Sequence, residues 1–423
     1  MEYRIPRGTD DIMPGEVEKW QWIEAKAREI CRLYGFSEIR TPMFEHTELF
    51  QRGVGETTDI VEKEMYTFKD RADRSLSLRP EGTAGVVRSF VENKGFGQPQ
   101  PTKWYYMGPM FRYENPQAGR RRQFHQFGVE AFGSEDPALD AEVIAMGMKY
   151  FESLGIKGVR VEINSVGDLE SRALYREKLI EYFEPYKDQL SEDARSRLYR
   201  NPMRILDSKD ARTKEIATNA PSILDYLNES CQKHFEAVKK YLDLLNVNYV
   251  VNDRLVRGLD YYTHTAFEFM VDITGAQAST IGGGGRYNGL VQEIGGPEMS
   301  GFGFGIGLER VLLAIQEQEV ELPIQTGLDC YVVTLGDEAK LAGTTILQNL
   351  RSAGLTADRD YLDRKMKAQM KAADRVGARF VAILGDEELA QDKIQVKNLA
   401  TGEQELVAIN ELIGYLNHQL AQT

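Results

Sequence analysis

Cysteine is scarce in this chain, and the little there is carries no pattern. Cys31, Cys231 and Cys330 are the only three in 423 residues, and no two form a CxxC pair. That excludes a disulfide scaffold and a thiolate zinc ribbon. The five histidines likewise lack HxxxH spacing, so reduced thiols and no zinc are expected. Apolar runs stay well short of the roughly 18 residues a membrane span requires. The start, MEYRIPRGTDDIMPGE, has no basic-then-apolar leader, and the expectation is a cytoplasmic protein with no membrane partner. Positive charge is not in excess either. Lys and Arg number 52 against 65 Asp and Glu, a net charge of −13, which disfavours a generic cationic nucleic-acid binder and confines any RNA contact to a local basic surface. Neither GxxxxGK[ST] nor an intact GxGxxG occurs, so an ATP site would need a fold other than the P-loop or Rossmann types.

What is present is an ordinary globular composition, 42% hydrophobic and 28% charged, over a length that predicts two or three domains. Trp20, Ile23, Ala27, Ile30 and Tyr34 recur at helical spacing and predict an amphipathic helix over 17–34 that stops at Gly35. Residues 36–42 are extended and end at Pro42. Residues 104–113 and 123–132 predict an antiparallel strand pair around the polar loop 115–122. From 169 to 245 the chain is rich in Glu, Lys, Leu, Ala and Tyr and predicts a helical insertion. Strands resume at Asn248; 255–271 and 276–291 flank glycine-rich turns, and 301–307 runs into a helix through Arg310 and Ile315. After Leu322-Pro323, the segments DCYVVTL, 338–353, LTADRD, 363–376 and ARFVAILG alternate strand and helix, which predicts a small α/β domain. There is no internal repeat and no low-complexity tract.

Strand alternation over 123–132 puts Phe124, Gln126, Gly128 and Glu130 on one face and His125, Phe127, Val129 and Ala131 on the other. An amide and a carboxylate flanking a glycine gap suit a cationic or donor-rich small molecule; alternatively Glu130 pairs with an arginine or faces water. Arg112 and Glu114, followed by Arg120, Arg121 and Arg122, supply guanidinium groups fit for phosphates, or simply make a solvated hairpin tip. In GFGFGIGLER the glycines at 301, 303, 305 and 307 predict a bare strand face on which a flat ring could lie, with Arg310 near the start of the next helix, within reach of a triphosphate; close strand packing is the alternative. LRPEGT at 78–83, RGLDYY at 257–262 and the stretch Gly282 to Tyr287 add polar groups beside glycines, which singly are packing chemistry and together look convergent.

These peptides resemble the class II aminoacyl-tRNA synthetases: the helix with its Pro42 segment, FRYE with its arginine loop, and GIGLER are similar to that class's motifs 1, 2 and 3. LVRGLDYYTHTAFEF and GGGGRYNGL resemble the two peptides peculiar to histidyl-tRNA synthetases, and LRPEGT and QFHQFGVEAFG that family's substrate-binding stretches. The likeness covers nearly the whole chain. It implies an α+β fold: an antiparallel β-sheet catalytic domain, 1–325, with a helical insertion at about 169–247, dimerised through the first motif as a homodimer, and a C-terminal α/β anticodon-binding domain, 326–423.

The resemblance also implies a histidine–tRNA ligase reaction, in which ATP with Mg²⁺ activates L-histidine to histidyl-adenylate and the histidine passes to the 3′-terminal adenosine of tRNA(His). Arg112 and Arg257 would hold the α-phosphate from two sides and Arg310 the γ-phosphate, with Glu114 also on ATP. Glu81, Gly82, Thr83 and Gln126 would surround the α-ammonium, Glu130 and Tyr262 would take the two imidazole nitrogens, and Tyr261 and Tyr287 would line the pocket. Gln117, Arg120 and Arg121 would meet the tRNA acceptor end. In the tail, Arg364, Lys367, Lys371 and Arg375 form a stripe opposite Met366, Met370 and Ala373 that either touches tRNA or, with Asp360, Asp363 and Asp374 beside it, is a solvated face. Two other readings share the fold. One is the non-catalytic, histidine-sensing regulatory subunit of ATP phosphoribosyltransferase, which has little need of the three arginines or the tail; the other is a prolyl, threonyl or glycyl synthetase, which the LVRGLDYY and GGRYNGL peptides disfavour.

Overall fold

Ile23, Ala27 and Ile30, the predicted apolar stripe, are buried on a helix that runs Val17–Leu33 in the computed structural model. The structure describes residues 3–55, 58–272, 280–324 and 326–422. Gly35, at φ +75°, takes the left-handed conformation that turns the chain away after this helix. The described residues form two compact units, Met1–Leu322 and Pro323–Thr423.

The first unit is built on a sheet with spatial order Ser37–Glu38, Thr102–Phe111, Gln123–Phe132, Gly301–Gly307, Thr280–Arg286, Thr263–Met270, Arg160–Ser165, Tyr249–Val251. Neighbours from Thr102–Phe111 through Arg160–Ser165 are antiparallel, and the two outermost strands pair parallel. The predicted hairpin is present, with Phe111 opposite Gln123. Its first strand stops at Phe111 rather than 113, because the Tyr113 amide leaves the ladder to donate to Glu64 O at 2.7 Å. Of the predicted stretch 255–271 only Thr263–Met270 is strand; 257–262 is a loop. The next strand begins at Thr280, and the earlier part of 276–291 lies outside the described residues.

One face of the sheet, carrying Phe127, Val129, Phe267, Phe269, Phe302, Phe304 and Ile306, is buried in one core with the helices Val17–Leu33, Pro137–Ser153 and Glu229–Leu244. Period-2 alternation therefore leaves the other face to the polar side chains of the site. The helical insertion is divided in its loyalties. Phe235, Val238 and Leu242 of its last helix join the main core, whereas Tyr175, Leu179, Phe183, Leu198 and Ile205 make a separate core of their own.

Under the sheet Arg286 (1% exposed) pairs with Asp140 (0% exposed), and Asp140 also meets His234 Nε2 at 2.9 Å. Arg286 Nη1 donates to Ser134 O at 2.8 Å. This triad ties the strand Thr280–Arg286 to two covering helices, and its neighbouring charges hold the Asp140 carboxyl below the ordinary range against a large desolvation cost.

The second unit has sheet order Ala357–Arg359, Cys330–Thr334, Phe380–Leu384, Lys393–Asn398, Gln404–Ala408, the first three parallel and the rest antiparallel. Its second helix is Met366–Arg375, three residues later than 363 because Asp363 sits at φ +53°. Lys367, Lys371 and Arg375 are exposed along it as expected. Arg364 is not on the helix; it pairs with Asp360 in the preceding loop. The buried side is Gln369, Ala372 and Ala373, with Met370 packed against the core, so of the expected apolar face Met370 and Ala373 turn inward and Met366, 42% exposed, does not.

Asp140→Asn should leave Arg286 as an uncompensated buried cation and cost about 3–5 kcal/mol in urea unfolding. A loss below about 1 kcal/mol would mean that the pair adds little beyond a surface ion pair.

Candidate active site

The polar face of the sheet floors a cleft of about 610 Å³. Of the residues expected around histidine, Glu81, Thr83, Gln126, Tyr261 and Tyr262 line it, together with Arg112 and Arg257, expected where the histidine carboxylate meets the α-phosphate. Glu130 and Tyr287 lie just behind the wall, reached through Thr83. The Thr83 hydroxyl donates to Glu130 Oε1 at 2.7 Å and the Tyr287 hydroxyl to Oε2 at 2.5 Å. Glu130 is 1% exposed and has hydroxyl partners, not the arginine that the alternative reading offered it.

Burial pushes its carboxyl up to about 8 against those two hydrogen bonds, with the nearby Glu81 charge adding to the rise. Glu81 caps the helix Thr83–Glu92, accepting from the Thr83 and Ala84 amides at 2.7 and 2.8 Å, and burial raises it as well. Two buried carboxyls held above their ordinary range beside an open cleft favour a ligand that brings positive charge and N–H donors.

The glycine run makes room for neighbours' side chains more than for a ring. A Cβ on Gly301 would lie 2.1 Å from the Tyr287 ring, on Gly303 2.1 Å from Glu130 Oε2, and on Gly305 2.4 Å from Gln126 Nε2. The expectation of one long bare platform is thereby corrected: only Gly305 and Gly307, with Gly282 and Gly283 across the ladder, face the cleft. Gly82 and Gly128 similarly accommodate the Tyr106 ring, at 2.1 and 2.2 Å from the Cβ each lacks. Gly82 thus shapes the site without lining it. Sequence reading missed Tyr106, whose hydroxyl donates to Gln126 Oε1 at 3.3 Å. Its signal was the Gly128 gap, since Tyr106 and Gly128 are register partners.

Arg112, Glu114 and Arg310 line the same cleft, as do Arg120 and Arg121 of the hairpin loop, and Gln117 bridges Arg120 within that loop. Arg112 Nε donates to Pro80 O at 2.7 Å, and its guanidinium sits 5.2 Å from the Phe124 ring. Arg310 donates to Gly119 O at 3.3 Å and to Thr280 O. Burial, together with the like charges of Arg120 and Arg112, lowers the Arg310 pKa, so this end of the cleft holds clustered, partly desolvated cations suited to an anion. Arg257 pairs with Glu268 and lies 5.7 Å from the Tyr262 ring. Glu268 was not foreseen; its other oxygen accepts from the Thr280 hydroxyl at 2.9 Å, so Thr280 connects the Arg257 and Arg310 positions. Arg364, Lys367 and Lys371 belong to the other unit. Among the described residues no three His, Cys, Asp or Glu side chains converge as a metal-ion group.

The cleft thus combines carboxyls suited to a cation with guanidiniums suited to phosphates. Residues 8–311 match the profile described as histidyl-tRNA synthetase, and 329–419 that described as anticodon binding domain. The chain belongs to the histidyl-tRNA synthetase family. It is 59% identical over the whole of both chains to a histidine–tRNA ligase of Geobacillus sp. (strain WCH70), and 57% identical over 98% of each to that of Bacillus subtilis (strain 168). The crystal structure of apo S. aureus histidyl-tRNA synthetase superposes with a TM-score of 0.85 at 48% identity, covering 98% of this chain and 100% of that one. A Bacillus halodurans structure titled as an ATP phosphoribosyltransferase regulatory subunit/histidyl-tRNA synthetase, at 20% identity and TM-score 0.67 over 91% of this chain and 99% of that one, shares the fold.

Because the fold favours the neutral Glu130 carboxyl, that group stabilises the ligand-free protein below the ordinary carboxylate range, and the contribution is lost as pH rises from there to about 8. Glu130→Gln should therefore lose less stability than the wild type across that window in ligand-free urea unfolding. Parallel pH curves would show that Glu130 is not held neutral.

Proposed function

We propose that this chain is a histidine–tRNA ligase. A histidine carboxylate oxygen attacks the α-phosphorus of ATP, pyrophosphate leaves, and a ribose hydroxyl of the 3′-terminal adenosine of tRNA(His) then attacks the acyl carbon and releases AMP. The observation that carries this reading is the buried Glu130 carboxyl, held by Thr83 and Tyr287 beside a cleft that Arg112, Arg257 and Arg310 also line. An imidazole offers two polar ring atoms, and a site that bonds both leaves its own groups stranded when an apolar analogue enters, a discrimination of about 10⁴ or more.

In this reading Glu81, Thr83 and Gln126 surround the α-ammonium, and Glu130 and Tyr262 face the imidazole, with Tyr261 and Tyr287 packed around it. Arg112 and Arg257 stabilise the charge developing at the α-phosphate, while Arg310 holds the terminal phosphate. Mg²⁺ arrives with the triphosphate as part of the substrate and would neutralise the phosphates and the departing pyrophosphate. No side-chain nucleophile enters the scheme. Gln117, Arg120 and Arg121 meet the acceptor end, and Lys367 and Lys371 meet the tRNA from the second unit. The protein works in the cytoplasm as a homodimer. The retained arginines and the second unit favour the ligase over a histidine-sensing regulatory subunit.

ATP–pyrophosphate exchange with each of the twenty amino acids should proceed with histidine alone, and Arg257→Ala should lower it by about 10²–10³ while histidine binding persists. Histidine binding without exchange would establish the sensor instead. Lys367→Glu with Lys371→Glu should raise the tRNA KM and leave exchange intact; an unchanged tRNA KM would return that helix face to plain solvent exposure.

A further inference from the structure

Arg257, Tyr261 and Tyr262 all come to the cleft from the loop 257–262, which lies in no ladder. A loop backbone at a buried site must find its hydrogen-bond partners somewhere, and here most come from the helical insertion. Arg204 Nη2 donates to Gly258 O at 2.5 Å, and Arg172 Nη1 to Asp260 O and Tyr262 O at 3.3 and 3.1 Å. Asn201 Nδ2 donates to Asp260 Oδ1 at 3.2 Å, with Arg204 3.7 Å from the same oxygen. The main body adds the Val54 carbonyl, which accepts from the Asp260 amide at 3.2 Å. A void of about 30 Å³ lies between the loop and the insertion. The same insertion reaches the other wall, where Arg197 pairs with Asp59 at 3.0 Å and Arg200 with Glu62 at 2.8 Å.

We infer that the insertion is part of the amino-acid pocket: Arg172, Asn201 and Arg204 are positioning residues that hold the 257–262 loop in its binding conformation. This rests on the reading that the cleft takes histidine. Arg172 is itself so buried that desolvation lowers its pKa, and three of the bonds go to main-chain carbonyls, which side-chain replacements within the loop would not remove.

The test uses the full chain in two ligand-independent and ligand-dependent arms. Hydrogen exchange of the 258–262 amides in ligand-free protein should accelerate in Arg204→Ala and Asn201→Ala, with little change in Arg212→Ala, whose bonds go to Glu215 and Gln189 on the insertion itself. By calorimetry, histidine Kd should rise about fivefold or more in Arg204→Ala, the worth of roughly one hydrogen bond, and fall back in Arg204→Lys, which keeps a donor for Gly258 O. The thermal midpoint should stay near that of the wild type. Unchanged exchange and unchanged Kd in both Arg204→Ala and Asn201→Ala would overturn the inference, and Asn201→Ala alone decides it if Arg204→Ala does not fold. Loop exchange that accelerates in a protein with no affinity for histidine would sustain the clamp and end the ligase reading, so the two failures are distinguishable.

Discussion

A carboxyl buried in the middle of an antiparallel sheet constrains everything packed around it. Glu130 has given up water for two hydroxyls, and without them its desolvation would be uncompensated. The need for those hydroxyls fixes where the helix Thr83–Glu92 begins and where Tyr287 must stand. The need for space fixes Gly301 and Gly303 on the neighbouring strand, since a methyl group at either would strike Tyr287 or Glu130. Tyr287 is placed in turn by Arg286 beside it, anchored to Asp140 beneath the sheet. The rigid floor and the polar site are one connected set of contacts.

The arginines obey a complementary logic. Each is fixed by a carbonyl or a carboxylate of the protein: Arg112 by Pro80, Arg257 by Glu268, Arg310 by Gly119 and Thr280. In the proposed reaction, such anchoring is what lets the cations face a phosphate chain with little reorganisation, the way preorganised charge accelerates a displacement at phosphorus.

The two cores of the insertion divide its work. Its last helix is welded to the sheet through Phe235, Val238 and Leu242, and the remainder stands on its own hydrophobic cluster, reaching the site through the polar side chains of Arg172, Asn201 and Arg204 and through Met203, which packs against the cluster holding Tyr261 and Tyr262.

Much of this was legible in the chain itself. The Val17–Leu33 helix and the polar face bearing Gln126 and Glu130 follow from periodicity, because burial on one face leaves a repeat of 3.6 or 2 in the sequence, while the hairpin around residues 115–122, the helical insertion and the α/β tail follow from turn residues, composition and the alternation of segments. The family followed from its peptides. Periodicity could not say that Tyr106 fills the gap left by Gly82 and Gly128, that the glycines of 301–305 yield to Glu130 and Gln126, or that Glu268 restrains Arg257. Those are pairings between segments far apart in the chain, fixed by strand register and by which side chains the sheet brings face to face. Nor could helical spacing show that Arg364 precedes its helix to pair with Asp360, since a positive φ at Asp363 leaves no periodic trace. Local pattern set the elements and the family; the tertiary structure alone decided the partners, because hydrogen bonds and close packing depend on three-dimensional distance and not on position along the chain.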